Sequence, residues 1–530
     1  MAFRSCAINL GSALVLFVLV SPAPTAEKST QAAVVLLDAE ELARRIDSVL
    51  DAQRTEKGVP ATPLTEDAEF LRRVYLDLAG CIPSIIDARD FLDDARPNKR
   101  RIWVDLILDG KKPSRKPDAF NQHFANVYRA WILSRVNSEN AIALAAGQEV
   151  WLRERLKANT PYDRLVREMV GDVADNSNGF SANVYYQINE NKPENLAAST
   201  SRLFLGIKLE CAQCHDDRSG GSWSQEQFWA FAAFFAGNSP EGGKTNKREI
   251  AIPGRKKTIP ARFLDDAEPV WKPDDNPRVV LADWLVGAEN PYFARAAVNR
   301  LWSYFFGTGL TDPIDEQGAH NPPSHPELLD ELTRQFIAHN FELKYLIRAL
   351  VATQTYRRSS IANHPGQDDP RLFARMVLRG LSAEQLFDSL AEATEYQDTN
   401  PGTMTNRFEN PENLSPRQKF LSRFAHQDKP TEAPTSILQA LYLMNSSFVA
   451  ERTSLEQNKT LATIADAAKT DASRRLETLF LVVLTRKPTA AESKRFVAYI
   501  ERGGPLGDRR KALADVFWAL LNSAEFRLNH

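Results

Sequence analysis

The chain has 530 residues, and its 66 lysines and arginines against 68 aspartates and glutamates give a net charge of −2. This balance provides no strong field for nucleic acid or an anionic membrane surface, so we expect neither as a partner. With 43% hydrophobic and 25% charged residues, the composition is that of a globular protein and excludes disordered and fibrous classes. At about 150 residues per domain, the length allows two to four hydrophobic cores.

The first 26 residues have the pattern of a secretory signal. Arg4 is the only charged residue among them, and an apolar run, ALVLFVLV at 13–20, precedes the small residues Ala23 and Ala26. The apolar stretch is short for a membrane span of roughly 20 residues, and no stop-transfer pattern follows it. We therefore predict cleavage near Ala26 and an exported protein, periplasmic or at the cell surface, without a later transmembrane segment. An uncleaved anchor is the alternative, because Pro24 makes the cleavage site imperfect.

Beyond the signal, the hydrophobic periodicity is helical almost throughout. A capping residue followed three positions later by an acidic or amide residue predicts many helix starts. These pairs are Asp38 with Glu41, Thr160 with Asp163, Ser224 with Gln227, Ser324 with Glu327, Ser382 with Gln385, and Thr489 with Glu492. Alternating patterns are scarce, and the strongest, at 248–252 and 257–263, predict one small hairpin. The sequence therefore predicts a mainly α fold.

One segment in the middle interrupts the helical pattern. Residues 237–277 are rich in glycine, proline and charge and show no sustained helical face. We predict a linker with a small β element there. The predicted organisation is a signal at 1–26, a first helical domain at 27–236, the linker at 237–277 and a second helical domain at 278–530.

The motif with the most specific chemical meaning is Cys211-Ala-Gln-Cys214-His215. On a helical turn the two thiols face one way and the imidazole stands beside them. Both sulfurs can then form thioethers with haem vinyl groups while His215 ligates the iron, which is the attachment signal for haem c. From the composition, about 5 such pentapeptides are expected by chance in 10,000 chains of this kind. We therefore predict haem c on Cys211 and Cys214, with His215 as a ligand of the haem iron.

Several details of this haem site are open in the sequence. Nearby aromatic residues are expected to form either an apolar haem wall or ordinary core; they are Phe204, Trp223, Phe228, Trp229, Phe231, Phe234 and Phe235. The only other histidine of the first half is His123, and the next methionine is Met376 in the other half. The iron is thus expected to be five-coordinate or to take a ligand from a distant part of the chain.

Two other interpretations compete with haem at this motif. Cys211 and Cys214 can close a small disulfide in an oxidising compartment, with His215 incidental. Zinc is the second alternative, because the motif supplies three ligands, and Asp216 or Asp217 would have to complete the set.

The longer motifs resemble a known family. FLRRVYLDLAGCIPSIIDARDFLDD at 70–94, PYDRLVREMVGD at 161–172 and FLGIKLECAQCHDD at 204–217 are similar to the first domain of the planctomycete cytochrome-like (PSCyt) exported proteins. NPYFARAAVNRLWSYFFGTGL, which begins at Asn290, resembles its linked second domain. The resemblance implies an exported bacterial protein with two domains of unknown function, the first, cytochrome-like, carrying the Cys-x-x-Cys-His motif. It implies as partner a redox protein or a neighbouring exported protein of unknown function.

The chain departs from the family pattern at one point. The family usually has CAQCHDHP, whereas Asp217 and Arg218 here replace the second histidine and the proline. If that histidine is a ligand in relatives, this chain lacks it, although the three haem-attaching positions are intact.

A weaker cluster of metal-ligating and titratable residues lies in the second half. Within fourteen residues the chain places Asp312, Asp315, Glu316, His320 and His325. Such a group could bind a metal or carry out acid–base chemistry. Alternatively, Ser324 caps a helix and leaves His325 on its exposed first turn. Arg300 is expected to pair with a carboxylate such as Asp315 for structure rather than catalysis.

These observations give two main functional hypotheses. The first is an exported haem c protein serving electron transfer or redox turnover. The second is a cofactor-free exported binding or scaffold protein with a local disulfide, and a zinc-site protein is a third. The chain has no His-Glu-x-x-His and no Gly-x-Ser-x-Gly motif, so neither a catalytic residue nor a substrate is assigned.

Overall fold

The computed structural model describes residues 35–114, 116–133, 139–171, 183–216, 223–238, 245–397, 415–424, 437–467 and 470–530. The predicted signal at 1–26 lies outside the described residues. Helices account for 60% of the described residues and strands for 4%, which confirms the mainly α fold. Among the described residues, no helix combines the length and the apolar character that crossing a membrane requires.

Ten helices precede residue 237 in the described part of the chain. They are α1 (Ala39–Glu56), α2 (Asp67–Ala79), α3 (Ile85–Leu92), α4 (Lys99–Leu108), α5 (Ala119–Leu133), α6 (Glu139–Lys157), α7 (Tyr162–Gly171), α8 (Asn183–Ile188), α9 (Pro193–Thr200) and α10 (Gln225–Ala232). A π-helical turn, Ser201–Leu205, continues α9 at its C-terminal end. A short 3₁₀ turn, Glu210–Gln213, lies between this π-helical turn and α10.

Twelve further helices follow in the described residues. They are α11 (Pro277–Leu285), α12 (Phe293–Phe306), α13 (Pro326–Ala338), α14 (Leu343–Ala352), α15 (Ala383–Ala393), α16 (Pro416–Phe424), α17 (Ile437–Asn445), α18 (Ser447–Arg452), α19 (Lys459–Asp466), α20 (Ala472–Leu484), α21 (Ala490–Arg502) and α22 (Arg509–Leu521).

The described strands form two small antiparallel pairs. Strand β1 (Glu249–Ala251) pairs with β2 (Thr258–Pro260), with Ile250 opposite Ile259, which confirms the predicted small β element. Strand β3 (Arg379–Gly380) pairs with β4 (Leu528–Asn529) at the end of the chain.

Local capping explains where many helices begin. The side chains of Asp38, Ser224, Ser382 and Thr489 each cap a helix, and the residue three positions later bonds back to the cap, as predicted. The prediction for Ser324 is wrong, because α13 begins one residue later and its N-cap residue makes no side-chain capping bond.

Two hydrophobic clusters form the interior of Leu36–His530, which is one compact unit. The first cluster draws on buried side chains from Leu42 to Met376, on both sides of the predicted linker. The second contains buried residues between 381 and 526, together with Leu76 and Ile82. Residues of the two predicted domains therefore share both clusters, and the division at 237–277 stays a prediction.

A buried polar network joins α2 to the end of the chain. The Asp77 carboxylate, on a residue only 1% exposed, accepts hydrogen bonds from Arg379 at 2.7 and 3.0 Å and from the Tyr356 hydroxyl at 2.7 Å. It also accepts one from Asn529 Nδ2 at 2.7 Å. Because all these donors converge on one carboxylate, this network fixes the C-terminal strand against the first half of the chain.

Candidate functional site

The Cys-x-x-Cys-His motif comes shortly after the chain turns away from the end of α9 and its π-helical extension. The helical turn ends at Gly206, whose φ of +64° is in the left-handed region. The backbone conformation therefore favours glycine, and a Cβ atom here would also lie 2.5 Å from Gln317 Nε2 and force that side chain to shift. The chain then reaches the 3₁₀ turn Glu210–Gln213, which places the motif at the surface.

The three predicted haem-attaching side chains are all solvent-exposed. Cys211, Cys214 and His215 are exposed, while Ala212 between the cysteines is fully buried and anchors the turn. Both cysteines are free thiols, so the disulfide of the alternative interpretation is not formed in this structure. Free, accessible thiols are what thioether formation requires.

A backbone contact orients the imidazole of His215. His215 Nδ1 lies 2.9 Å from the carbonyl oxygen of Asp216, which can only accept, so Nδ1 is the donor and Nε2 is the ring nitrogen left for a metal. A carbonyl that fixes the tautomer in this way is the usual outer contact of a metal-bound histidine. The donor set therefore fits haem attachment: two free thiols and one imidazole nitrogen with an available lone pair.

Residues of helix α10 donate hydrogen bonds to oxygen atoms of residues 213–216 in and beside the motif. Gln225 Nε2 donates to the carbonyl oxygens of Gln213 at 3.2 Å and Cys214 at 2.9 Å. Trp229 Nε1 donates to the Gln213 carbonyl at 3.1 Å, and the backbone N–H of Gln225 donates to Asp216 Oδ1 at 2.9 Å. The motif itself does not predict these partners, although the capping pair beside them marks the start of the helix that supplies them.

Apart from Trp223, which is half-buried, the aromatic residues near the motif belong to the core. Phe228, Trp229, Phe231, Phe234 and Phe235 are each at most 4% exposed and are part of the first hydrophobic cluster. For example, the Phe234 ring stacks on Phe263 with centroids 5.0 Å apart. They therefore pack the interior and do not line an open crevice over His215.

The two residues considered as distant iron ligands are also buried. His123 is 6% exposed, and its Nε2 lies 2.8 Å from the Tyr304 hydroxyl, which donates to the Asp77 carbonyl oxygen. Burial lowers the pKa of His123 to about 4, so the ring is neutral at physiological pH. Met376 is 2% exposed within the first cluster. Neither side chain reaches the surface on which the motif lies.

The zinc alternative stays a prediction, because one of its two candidate completing ligands lies outside the described residues. Among the residues that the structure describes, no three histidine, cysteine or carboxylate side chains converge to hold a metal ion. Asp216 instead accepts the hydrogen bond from the start of α10. Asp217, the other proposed zinc ligand, lies outside the described residues.

Comparison with protein families gives two matches, which cover separate parts of the chain. Residues 45–239 match the model of PSCyt2, a protein of unknown function (DUF1549), and residues 277–500 match PSD1, a protein of unknown function (DUF1553). The chain combines a PSCyt2 domain with a PSD1 domain. This combination confirms the two-domain family of unknown function. No curated protein and no solved structure matches the chain.

The PSD1 residues considered as a metal cluster are dispersed. Asp315 pairs with Arg300, as expected for a structural ion pair, and Glu316 pairs with Lys208 of the PSCyt2 match at 3.3 Å. Asp312 and His320 are exposed. Among the described residues these side chains form no group that could hold a metal ion, and acid–base chemistry here stays a hypothesis.

His325 differs most from its expected position. The residue is 4% exposed, whereas we expected it on an exposed first turn. Its Nδ1 lies 3.0 Å from Ser324 Oγ, and its ring packs 5.8 Å from that of Phe373. Burial, with a smaller contribution from Arg54, lowers the pKa of His325 to about 4. The serine therefore bonds to the histidine instead of capping α13.

Residues within the PSD1 match contact the segment that precedes the Cys-x-x-Cys-His motif of the PSCyt2 match. Ile207 forms an isolated β-bridge with Glu316, and the N–H of Gln317 donates to the Gly206 carbonyl at 2.9 Å. Arg202 lies between Glu210, at 3.6 Å, and Asp315, at 4.0 Å. Contacts from Asp315, Glu316 and Gln317 of the PSD1 match thus hold the segment that leads into the Cys-x-x-Cys-His turn.

Proposed function

We propose that the protein is an exported redox protein that carries haem c on Cys211 and Cys214, with His215 as a ligand of the iron. The observation that supports this is the joint exposure of two free thiols and the imidazole within five consecutive residues. In the attachment step each S–H adds across a vinyl C=C bond. A carbon–sulfur bond forms, and the hydrogen goes to the neighbouring vinyl carbon, so no atom is lost. Bound haem supplies a one-electron iron couple.

The chain's own residues prepare this turn for attachment. The Asp216 carbonyl keeps the hydrogen of His215 on Nδ1, which leaves Nε2 as the coordinating nitrogen. The contacts from Gln225 and Trp229 hold the backbone in place. Because the turn lies at the surface, a redox partner or a neighbouring exported protein can approach it without opening the core.

Export is part of the same proposal. The apolar N-terminal segment has the pattern of a secretory signal, and haem is attached to such motifs outside the cytoplasm. A periplasmic or cell-surface location therefore agrees with the chemistry proposed for the motif.

The test is expression of the full chain with its leader in a bacterium that matures c-type cytochromes. We expect a Soret band, haem staining that survives denaturation, and a mass increase equal to one haem. Replacing both motif cysteines by alanine should abolish all three, whereas Cys81→Ala, at a buried free cysteine outside the motif, should leave them unchanged. A colourless wild-type protein from such a host would refute the proposal.

A second candidate is a cofactor-free exported binding or scaffold protein whose motif cysteines form a reversible disulfide. The observation in its favour is that both thiols are free, exposed and three positions apart. Their oxidation releases two protons and two electrons to a disulfide oxidant. This candidate predicts a haem-free chain with a mass two hydrogens below that of the reduced protein.

A further inference from the structure

Gln225 has an unusual position at the motif. It is the first residue of α10, it is 7% exposed, and its side-chain amide lies against the turn. Its Nε2 donates to two carbonyl oxygens, those of Gln213 and Cys214. The amide orientation is therefore determined, because the reverse orientation would place Oε1 against both carbonyl oxygens.

The contacts of Gln225 fall on both sides of Cys214 and His215. Its side chain holds the backbone at Gln213 and Cys214, and its main-chain N–H holds the Asp216 carboxylate at 2.9 Å. The two chemically important side chains thus lie between two points fixed by one residue. Trp229 adds a third attachment, again on the Gln213 carbonyl.

The motif needs such external support. A 3₁₀ turn of four residues is a weak structure by itself, because its hydrogen bonds are poorly aligned. The exposed side chains of Cys211, Cys214 and His215 cannot fix the turn by packing into the core. The buried Ala212 anchors the turn beside Cys211, and the hydrogen bonds that Gln225 and Trp229 donate to the carbonyls of the turn restrain the part that carries Cys214 and His215.

The other end of the same amide is a buried acceptor. Gln225 Oε1 is inaccessible to solvent and has no hydrogen-bond partner among the described residues. An unpaired buried acceptor destabilises the fold, so a side chain kept in this state calls for an explanation. An apolar side chain of similar length would avoid this cost but could not donate to the turn.

We propose that Gln225 is the positioning residue of the Cys-x-x-Cys-His turn: it holds Cys214 and His215 so that both thiols and the imidazole present one attachment surface. The significance for haem rests on the proposed function. The geometric part, that Gln225 restrains the turn, does not need haem and can be tested separately.

The first experiment uses the full chain produced without haem. Gln225→Glu keeps the size of the side chain but places a carboxylate against two carbonyl oxygens. Gln225→Met, which cannot donate either, replaces it in the experiment if the glutamate variant folds poorly. We expect amide hydrogen exchange at Ala212 and at residue 225, whose N–H groups donate to the Leu209 carbonyl and the Asp216 carboxylate, to become about tenfold faster or more, because two hydrogen bonds that restrain the turn are lost. The rate at which the Cys214 thiol is alkylated should change as well. Glu226→Gln, on the same helical turn and exposed, is the control and should leave both rates unchanged.

The second experiment uses the haem-loaded protein. Because small displacements of reacting groups slow reactions strongly, we expect attachment to Gln225→Glu to be about tenfold slower and a larger share of chains to carry a single thioether. The ratio of singly to doubly attached haem, read from the haemochrome spectrum and from mass, reports positioning and not overall stability. Wild-type rates in the haem-free variant would refute the inference about Gln225, whereas absence of haem from the wild type would refute only the proposed function.

Discussion

Removal of the Asp77 carboxylate should be among the most damaging single changes in this chain. Asp77→Ala would leave the Arg379 guanidinium buried without its carboxylate and would also leave the Tyr356 hydroxyl and the Asn529 amide unpaired. Breaking a buried ion pair costs about 3–5 kcal/mol, and we expect a loss of that size in the free energy of unfolding. The measurement is the urea midpoint, followed by tryptophan fluorescence and circular dichroism.

A matched control and a double-mutant cycle test the reasoning behind this value. Asp466 pairs with Arg510 at 3.0 Å with both side chains more than half exposed, so Asp466→Ala should cost only about 0–1 kcal/mol. Arg379→Met should be costly alone, but less costly when combined with Asp77→Asn, because the double variant buries no unpaired charge. Equal losses at Asp77 and Asp466, or strictly additive losses in the cycle, would refute the assignment of Asp77 as the centre of this network.

Two further predictions concern glycine geometry and acid stability. Gly206→Ala should lower the thermal midpoint clearly more than Gly254→Ala, because both have positive φ but only Gly206 meets a side chain, Gln317, at 2.5 Å; equal shifts would contradict this. Burial lowers the pKa of His123 and His325 to about 4, below the unfolded value of about 6.5. Stability should therefore be full above about pH 6.5 and fall as the pH drops toward 4, by up to about 3 kcal/mol per histidine. In the double variant His123→Gln/His325→Gln, the urea midpoint should depend less on pH across this range. An unchanged pH dependence would contradict the role of these two histidines in acid destabilisation.

The sequence predicts those features that depend on neighbouring residues. The capping pairs at Asp38, Ser382 and Thr489 mark true helix starts because the cap and its partner are three positions apart in any fold. The pair at Ser324 fails for a long-range reason. His325 packs beside Phe373, and the serine hydroxyl bonds to the imidazole instead of the helix.

Long-range packing accounts for what the sequence does not predict. The contact of His123 with Tyr304 joins residues 181 positions apart, and no periodicity indicates it. The Cys-x-x-Cys-His motif is visible as a local pattern, but the role of Gln225 is not, because it depends on where α10 lies against the turn. Aromatic residues near a motif are likewise ambiguous in sequence, since core and cofactor wall use the same side chains.

The position of Asp315 connects the two halves of the chain. It was a candidate metal ligand, yet it neutralises Arg300 and lies 4.0 Å from Arg202, which is itself 4% exposed. Without Asp315, two buried guanidinium groups would lie close together beside Glu210, the residue that begins the 3₁₀ turn. Because buried like charges repel strongly, the PSD1 carboxylate has a structural task at the PSCyt2 motif. The second domain therefore contributes to the site by balancing charge and by holding the segment that leads into the motif, so its acidic residues have a structural role without a metal centre.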